Sequence, residues 1–193
     1  MTYQLLFLGS PLFLVAAAHG LFIKYDWLRR LKKPLDLGLN FRGRRIFGDH
    51  KTWRGLVINV VFCTIGAIIQ ALLQNRGYLP EWLLLLDYKR YGYLVGILLG
   101  LGMTAGELPN SLIKRQLQIP PGKGKRGFLG LAFFLFDQVD LTIGIWIFLL
   151  FLVRPSLLLV LCSFPITIVL HLTISIVSYL LGVRKTIIDY NGS

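Results

Sequence analysis

Five long apolar blocks, at residues 5–23, 56–73, 93–108, 129–153 and 157–183, govern what this 193-residue chain can fold into. Each approaches or exceeds the ~18 residues that carry a helix across a hydrocarbon core of ~30 Å. With 55% of residues hydrophobic and 16% charged, the chain has too little polar surface for a soluble globule of this size. In lipid, backbone amides must bond within their own segment, so the blocks are read as helices. The expectation is an all-α integral membrane protein with about five transmembrane helices, forming a single polytopic domain over residues 1–193. The apolar stretch 82–86 is too short to span and is assigned to an interface.

The tripeptide Ala16-Ala17-Ala18 has the small side chains of a signal-peptidase site. No Lys or Arg precedes Lys24, however, so the first block lacks a basic flank and is read as a retained helix. Of 21 Lys and Arg residues, ten lie in 24–54, five in 109–127 and two after 183, against three in 76–90 and one at Arg154. The positive-inside rule therefore places the N-terminus outside, the C-terminus in the cytoplasm, and loops 24–54 and 109–127 on the cytoplasmic side of the cell membrane. Basic loops beside anionic lipid account for much of the net charge of +12 without a nucleic-acid partner. Cys63 and Cys162 lie inside apolar blocks without metal-ligand spacing and read as packing residues. His19 and His171 lie in spans, also without a ligand pattern.

Three of the nine acidic residues, Glu107, Asp137 and Asp140, fall in or at the ends of apolar blocks, and no Lys or Arg lies within the spans to neutralise them. A carboxylate at the centre of a membrane helix costs roughly 2.5–3.5 kcal/mol on insertion scales, and such residues usually mark a function. Asp137 and Asp140, three apart, share a helical face. If their helix starts near Gly127 they lie roughly 15 and 20 Å along it, which favours a polar cavity. Snorkelling to an interface, or pairing with loop cations, is the alternative. Hard oxygen ligands of this kind suit Mg²⁺, with substrate phosphates completing its shell.

A second group, Glu107, Asn110, Ser111 and Lys114, follows the spacing of one helical face, with Arg115 beside it. A carboxylate, an amide, a hydroxyl and an ammonium in line can hold a metal at one end and a phosphate at the other. An ordinary helix end with a basic cap is the competing reading, and Pro109 complicates the helix. In the run from Gly48 to Gly55, Lys51, Thr52, Trp53 and Arg54 are candidate phosphate or nucleotide contacts, and the two glycines permit close approach of N–H groups to an anion. A basic flank of the next helix is equally compatible. The run Gly122 to Gly127, with Lys123, departs from a Walker loop because Phe128 and Leu129 stand where Lys and Ser/Thr are required. It is read either as a loop over a phosphate site or as a solvated tether.

These residues, together with Pro34-Leu35-Asp36, the run from Arg44 to Gly55, Gly106-Glu107, Lys114-Arg115 and Asp137-Gln138-Val139-Asp140, resemble the CDP-archaeol synthase family. That family belongs with the CTP-dependent lipid cytidylyltransferases, phosphatidate cytidylyltransferase among them. The resemblance implies transfer of CMP from CTP to a membrane lipid phosphate, 2,3-di-O-geranylgeranylglyceryl phosphate or similar, with release of pyrophosphate and a requirement for Mg²⁺. It further implies that Asp137, Asp140 and Glu107 hold metal and that Lys51, Arg54, Lys114 and Arg115 meet phosphates; the charge distribution then puts the active site on the cytoplasmic side. The attacking oxygen is already an anion, so no strong general base is needed; charge neutralisation and alignment suffice. Two departures matter. The family's Gly-Asp is here Gly106-Glu107, and the Asp-Arg-x-Asp type of the phosphatidate enzymes is here Asp137-Gln138-Val139-Asp140, which favours the archaeol type. A diacyl lipid substrate stays open, because an apolar groove accepts either chain chemistry. A small ion or anion transporter is the rival from another class, but no inverted repeat is visible. A non-catalytic scaffold leaves the carboxylates unexplained.

Overall fold

The computed structural model describes residues 1–119 and 128–180, and it places helices on all five apolar blocks. The first block is a pair, α1 (Thr2–Gly9) and α2 (Pro11–Lys24); α3 is Trp53–Asn75, α4 Tyr88–Gln116, α5 Phe128–Leu149 and α6 Leu157–Leu180. Among the described residues, Thr2–Lys24, Trp53–Asn75 and Glu81–Gln116 are each long and apolar enough to cross a bilayer. The protein is helical, multi-pass and membrane-embedded. Outward-facing Phe13, Ile69, Ile147 and Leu161 are exposed, as expected of helices solvated by lipid. The 82–86 stretch forms a short 3₁₀ turn, Glu81–Leu83, with Trp82 edge-on to Tyr3 at 5.8 Å. At the other end of the first block Trp27 packs on Phe22 and Tyr25, so both ends of the α1–α2 pair carry aromatic anchors.

The break between α1 and α2 has a definite cause. Pro11 has no N–H for the Phe7 carbonyl, which instead accepts from Ser10 N and from the Gln70 amide of α3. Gly66 of α3 leaves room for the proline ring: a Cβ there would stand 2.7 Å from Pro11 Cβ.

α4 is the central helix, packed on α3 along one face and on α5 along another. Gly92, Gly96 and Gly100 recur every four residues toward α3, and a Cβ at Gly96 would lie 2.3 Å from Thr64 Cα. Gly102 and Gly106 repeat the spacing toward α5, where they meet Gly144. Between lipid-solvated helices there is little hydrophobic drive, so association depends on such close backbone approach.

Two expectations are refined. Residues 109–116, assigned to a cytoplasmic loop 109–127, continue α4 through Pro109 to Gln116. The chain is mostly helical, and within 24–54 two short strands, β1 (Asn40–Phe41) and β2 (Arg44–Arg45), form an antiparallel hairpin. That hairpin docks on the end of α4, where the Arg44 guanidinium donates to the Gln116 carbonyl and the Gln116 amide donates to the Phe41 carbonyl. The loop between the first two blocks is thus folded against the helix that carries Glu107 and Lys114.

Candidate active site

The α4–α5 contact assembles both acidic groups that the sequence singles out. The Asn110 amide donates to Asp137 Oδ1 at 2.6 Å and to Asp140 Oδ2 at 2.9 Å. Lys114 Nζ donates to both oxygens of Asp137, at 2.5 and 2.6 Å. Asp140 is buried, and its other oxygen accepts from Leu141 N at 2.6 Å. Gly106 permits this convergence: a Cβ at that position would stand 2.3 Å from the Asp140 carbonyl oxygen, so any larger residue would hold the helices apart.

The carboxylates are not without basic partners, contrary to expectation. Lys114 serves Asp137, and Lys51 reaches from the loop to ion-pair with Glu107. A long lysine stem lets an ammonium cross apolar surface to a carboxylate far away in sequence, which lowers the cost of burying that charge. Glu107, Asp137 and Asp140 are not gathered into one cluster here: among the described residues no group of three or more His, Cys, Asp or Glu is arranged to hold a metal ion. Glu107 is turned to Lys51, whereas Asp137 and Asp140 share Asn110. The aspartate pair still fits a divalent cation. Asp137 already offers both oxygens to one positive group, and one or two carboxylates plus substrate phosphates are the usual Mg²⁺ set.

The remaining predicted contacts divide. The Ser111 hydroxyl is spent within α4, donating to the Glu107 carbonyl at 2.9 Å. Thr52 is the N-cap of α3, its hydroxyl accepting from Gly55 N at 3.2 Å, a role worth about 1 kcal/mol. Trp53 is exposed. Arg54 is held by Asp26 at 2.9 Å and by the Trp27 carbonyl at 3.4 Å. Arg115 carries a buried Nε that has no acceptor among the described residues. Lys123 lies outside the described residues. Lys51 is placed by backbone bonds on both sides, Leu35 N to its carbonyl at 2.7 Å and Trp53 N to the Lys33 carbonyl at 3.0 Å.

The glycines of the 48–55 run do not cradle an external anion. Gly55 N is taken by Thr52, and Gly48 N donates to Asp36 Oδ2 at 3.0 Å. Asp36 is the anion that organises this loop. Its side chain is fully covered and also accepts from Gly38 N, Phe47 N and Arg45 Nη2 at 3.0, 2.9 and 2.7 Å. Burial alone would raise its pKa, but Arg45 and the three N–H groups outweigh burial and hold it well below the ordinary 3.8. Because the folded-state pKa is the lower one, the stabilisation is whole above 3.8 and is lost as pH falls from there toward the folded value. Amide protection in residues 38–48, relative to the unfolded chain at the same pH, should therefore fall on acidification below pH 3.8. Asp36→Asn should show the low protection already at neutral pH. Protection that stays constant from about pH 6 to about pH 2.5 would contradict the role given to Asp36.

With the geometry in view, known proteins give the family. Residues 13–188 match the family model described as CarS-like, CDP-archaeol synthase. The chain belongs to the CDP-archaeol synthase family. It is 34% identical over 167 residues to the CDP-archaeol synthase of Methanosarcina barkeri, covering 79% of this chain and 89% of that one. It is 43% identical over 90 residues to the CDP-archaeol synthase of Pyrococcus furiosus, covering 46% and 48%. The solved structure of an intramembrane enzyme for archaeal membrane lipids biosynthesis superposes with a TM-score of 0.62 at 21% identity, covering 89% of this chain and 92% of that one. At that identity the likeness speaks for the fold alone.

Proposed function

We propose that this family member is a CTP-dependent cytidylyltransferase that joins the phosphate of an archaeol-type lipid to the α-phosphorus of CTP. The new P–O bond replaces the bond to the β-phosphate, and pyrophosphate leaves with that bond's electrons. Besides family membership, the observation that carries the site is the convergence of Asp137, Asp140, Asn110 and Lys114 where α4 meets α5. Asp137 and Asp140 are the residues that would hold Mg²⁺, which supplies charge neutralisation on the phosphates. Asn110 orients the two carboxylates toward each other. Lys114 and Arg115 would bind phosphate oxygens, and Lys51, oriented by Glu107, contributes a third positive group. The lipid chains lie among lipid-facing helices, so the two polyanions meet with little loss of freedom.

Five spans, with the basic loops and the site on the cytoplasmic side, complete the reading. The charge distribution and the placement of helices on all five blocks support it. One experiment addresses activity and sidedness together: labelled CTP, Mg²⁺ and a panel of ether- and ester-linked lipid phosphates, added to sealed vesicles of either orientation. Pyrophosphate release is expected with CTP or dCTP, above ATP and GTP, and in inside-out vesicles only. Release with no lipid phosphate in either orientation would remove the transferase reading, and equal release in both orientations would remove the sidedness.

A further inference from the structure

A buried polar chain that the reaction as described does not use lies one helical turn from the site. The Thr104 hydroxyl donates to the Gly100 carbonyl at 3.1 Å, so its oxygen accepts from the Asn59 amide at 3.0 Å. That contact turns Asn59 Oδ1 toward His19 Nε2, 2.8 Å away, and the ring nitrogen there must carry the hydrogen. The series runs α2 to α3 to α4, and both Asn59 and Thr104 are buried. Thr104 precedes Glu107 by three residues and shares its helical face. His19 Cε1 also lies against Gly55, in the first turn of α3 just after Lys51, 3.8 Å from where a Cβ would stand. The glycine contacts between α3 and α4 allow close approach but are non-directional; hydrogen bonds in series fix rotation.

We propose that His19 is a positioning residue: through Asn59 and Thr104 it holds α4 in the rotation that presents Glu107 to Lys51. This rests on the Lys51–Glu107 pair belonging to the site proposed above, so the test includes a readout independent of turnover. His19→Leu removes the donor, while His19→Gln returns a side-chain N–H to nearly the same place. Thr104→Val removes the acceptor at constant shape, and Thr104→Ser restores a hydroxyl. His19→Leu and Thr104→Val are each expected to lower kcat/KM for CTP about tenfold, with recovery in the Gln and Ser variants. The double variant should lose no more than either single one, because the links act in series. In parallel, a Lys51→Cys and Glu107→Cys pair, in a Cys63→Ala, Cys162→Ala background, is joined by a short bifunctional thiol reagent. Cross-linking should fall with His19→Leu and with Thr104→Val, and persist with His19→Gln. Undiminished cross-linking in the Leu and Val variants, losses that multiply in the double variant, or no recovery with Gln would overturn the proposal. If the unmodified protein turns over no CTP, the transferase reading fails, and the cross-linking alone decides the role of His19.

Discussion

Asp140→Asn is expected to reduce turnover on the order of a hundred- to a thousand-fold at saturating CTP while leaving the folded protein at least as stable in detergent without Mg²⁺. The side chain is buried and accepts hydrogen bonds from Asn110 and from Leu141 N, and an asparagine oxygen can receive either. The shape survives; the charge does not. Among the described residues the partners of Asp140 are Asn110 and Leu141 N, both neutral, so the substitution removes a charge that is costly to bury. Asp137→Asn should cost comparable activity but also some stability, because it leaves the Lys114 ammonium against a neutral amide. That contrast separates a metal-holding pair from simple structural carboxylates. The check is turnover and thermal unfolding on the same preparations, with and without Mg²⁺. Near-normal turnover of Asp140→Asn at saturating CTP would falsify the assignment, as would a loss that only tracks unfolding.

Much of this site was legible because it is local. The spacing of Glu107, Asn110, Ser111 and Lys114 predicts one helical face, and α4 runs unbroken through Pro109 to present Asn110 and Lys114 to α5. Asp137 and Asp140, three apart, do face the same partner. What periodicity does not reveal is which distant residue closes a contact. Lys51 with Glu107, and Arg54 with Asp26, join segments 56 and 28 residues apart, and nothing in either segment alone selects the pairing. Asp36 is a similar case: a loop carboxylate beside glycines reads as exposed, yet the left-handed turns at Leu37, Gly38 and Gly48 fold the backbone around it. One signal stood in the sequence unread. Gly92, Gly96 and Gly100, then Gly102 and Gly106, are small-residue repeats at four-residue spacing at the edge of and within the third apolar block, the pattern of helices that touch through their backbones.

That repeat has the second large consequence: Gly144→Ala should destabilise the fold and lose activity together. A Cβ at Gly144 would stand 2.1 Å from the Gly102 carbonyl oxygen and 2.5 Å from Gly106 Cα. Both are backbone atoms of α4, so no side chain can swing aside, and the helices must part. Overpacking of this kind costs about 1–3 kcal/mol, occasionally more. Parting also moves Asp137 and Asp140 away from Asn110, and a misplacement of about 1 Å at a reacting centre can cost on the order of a hundred-fold in rate. Gly9→Ala is the matched control, because the added methyl would meet only side-chain tips, Leu12 Cδ1 at 3.5 Å and Leu170 Cδ1 at 4.0 Å. Thermal unfolding and turnover in one detergent should show Gly9→Ala near the unmodified protein and Gly144→Ala well below it on both measures. Should Gly144→Ala keep both, α4 and α5 do not meet backbone to backbone, and the geometry that gathers the aspartates at Asn110 has to be drawn differently.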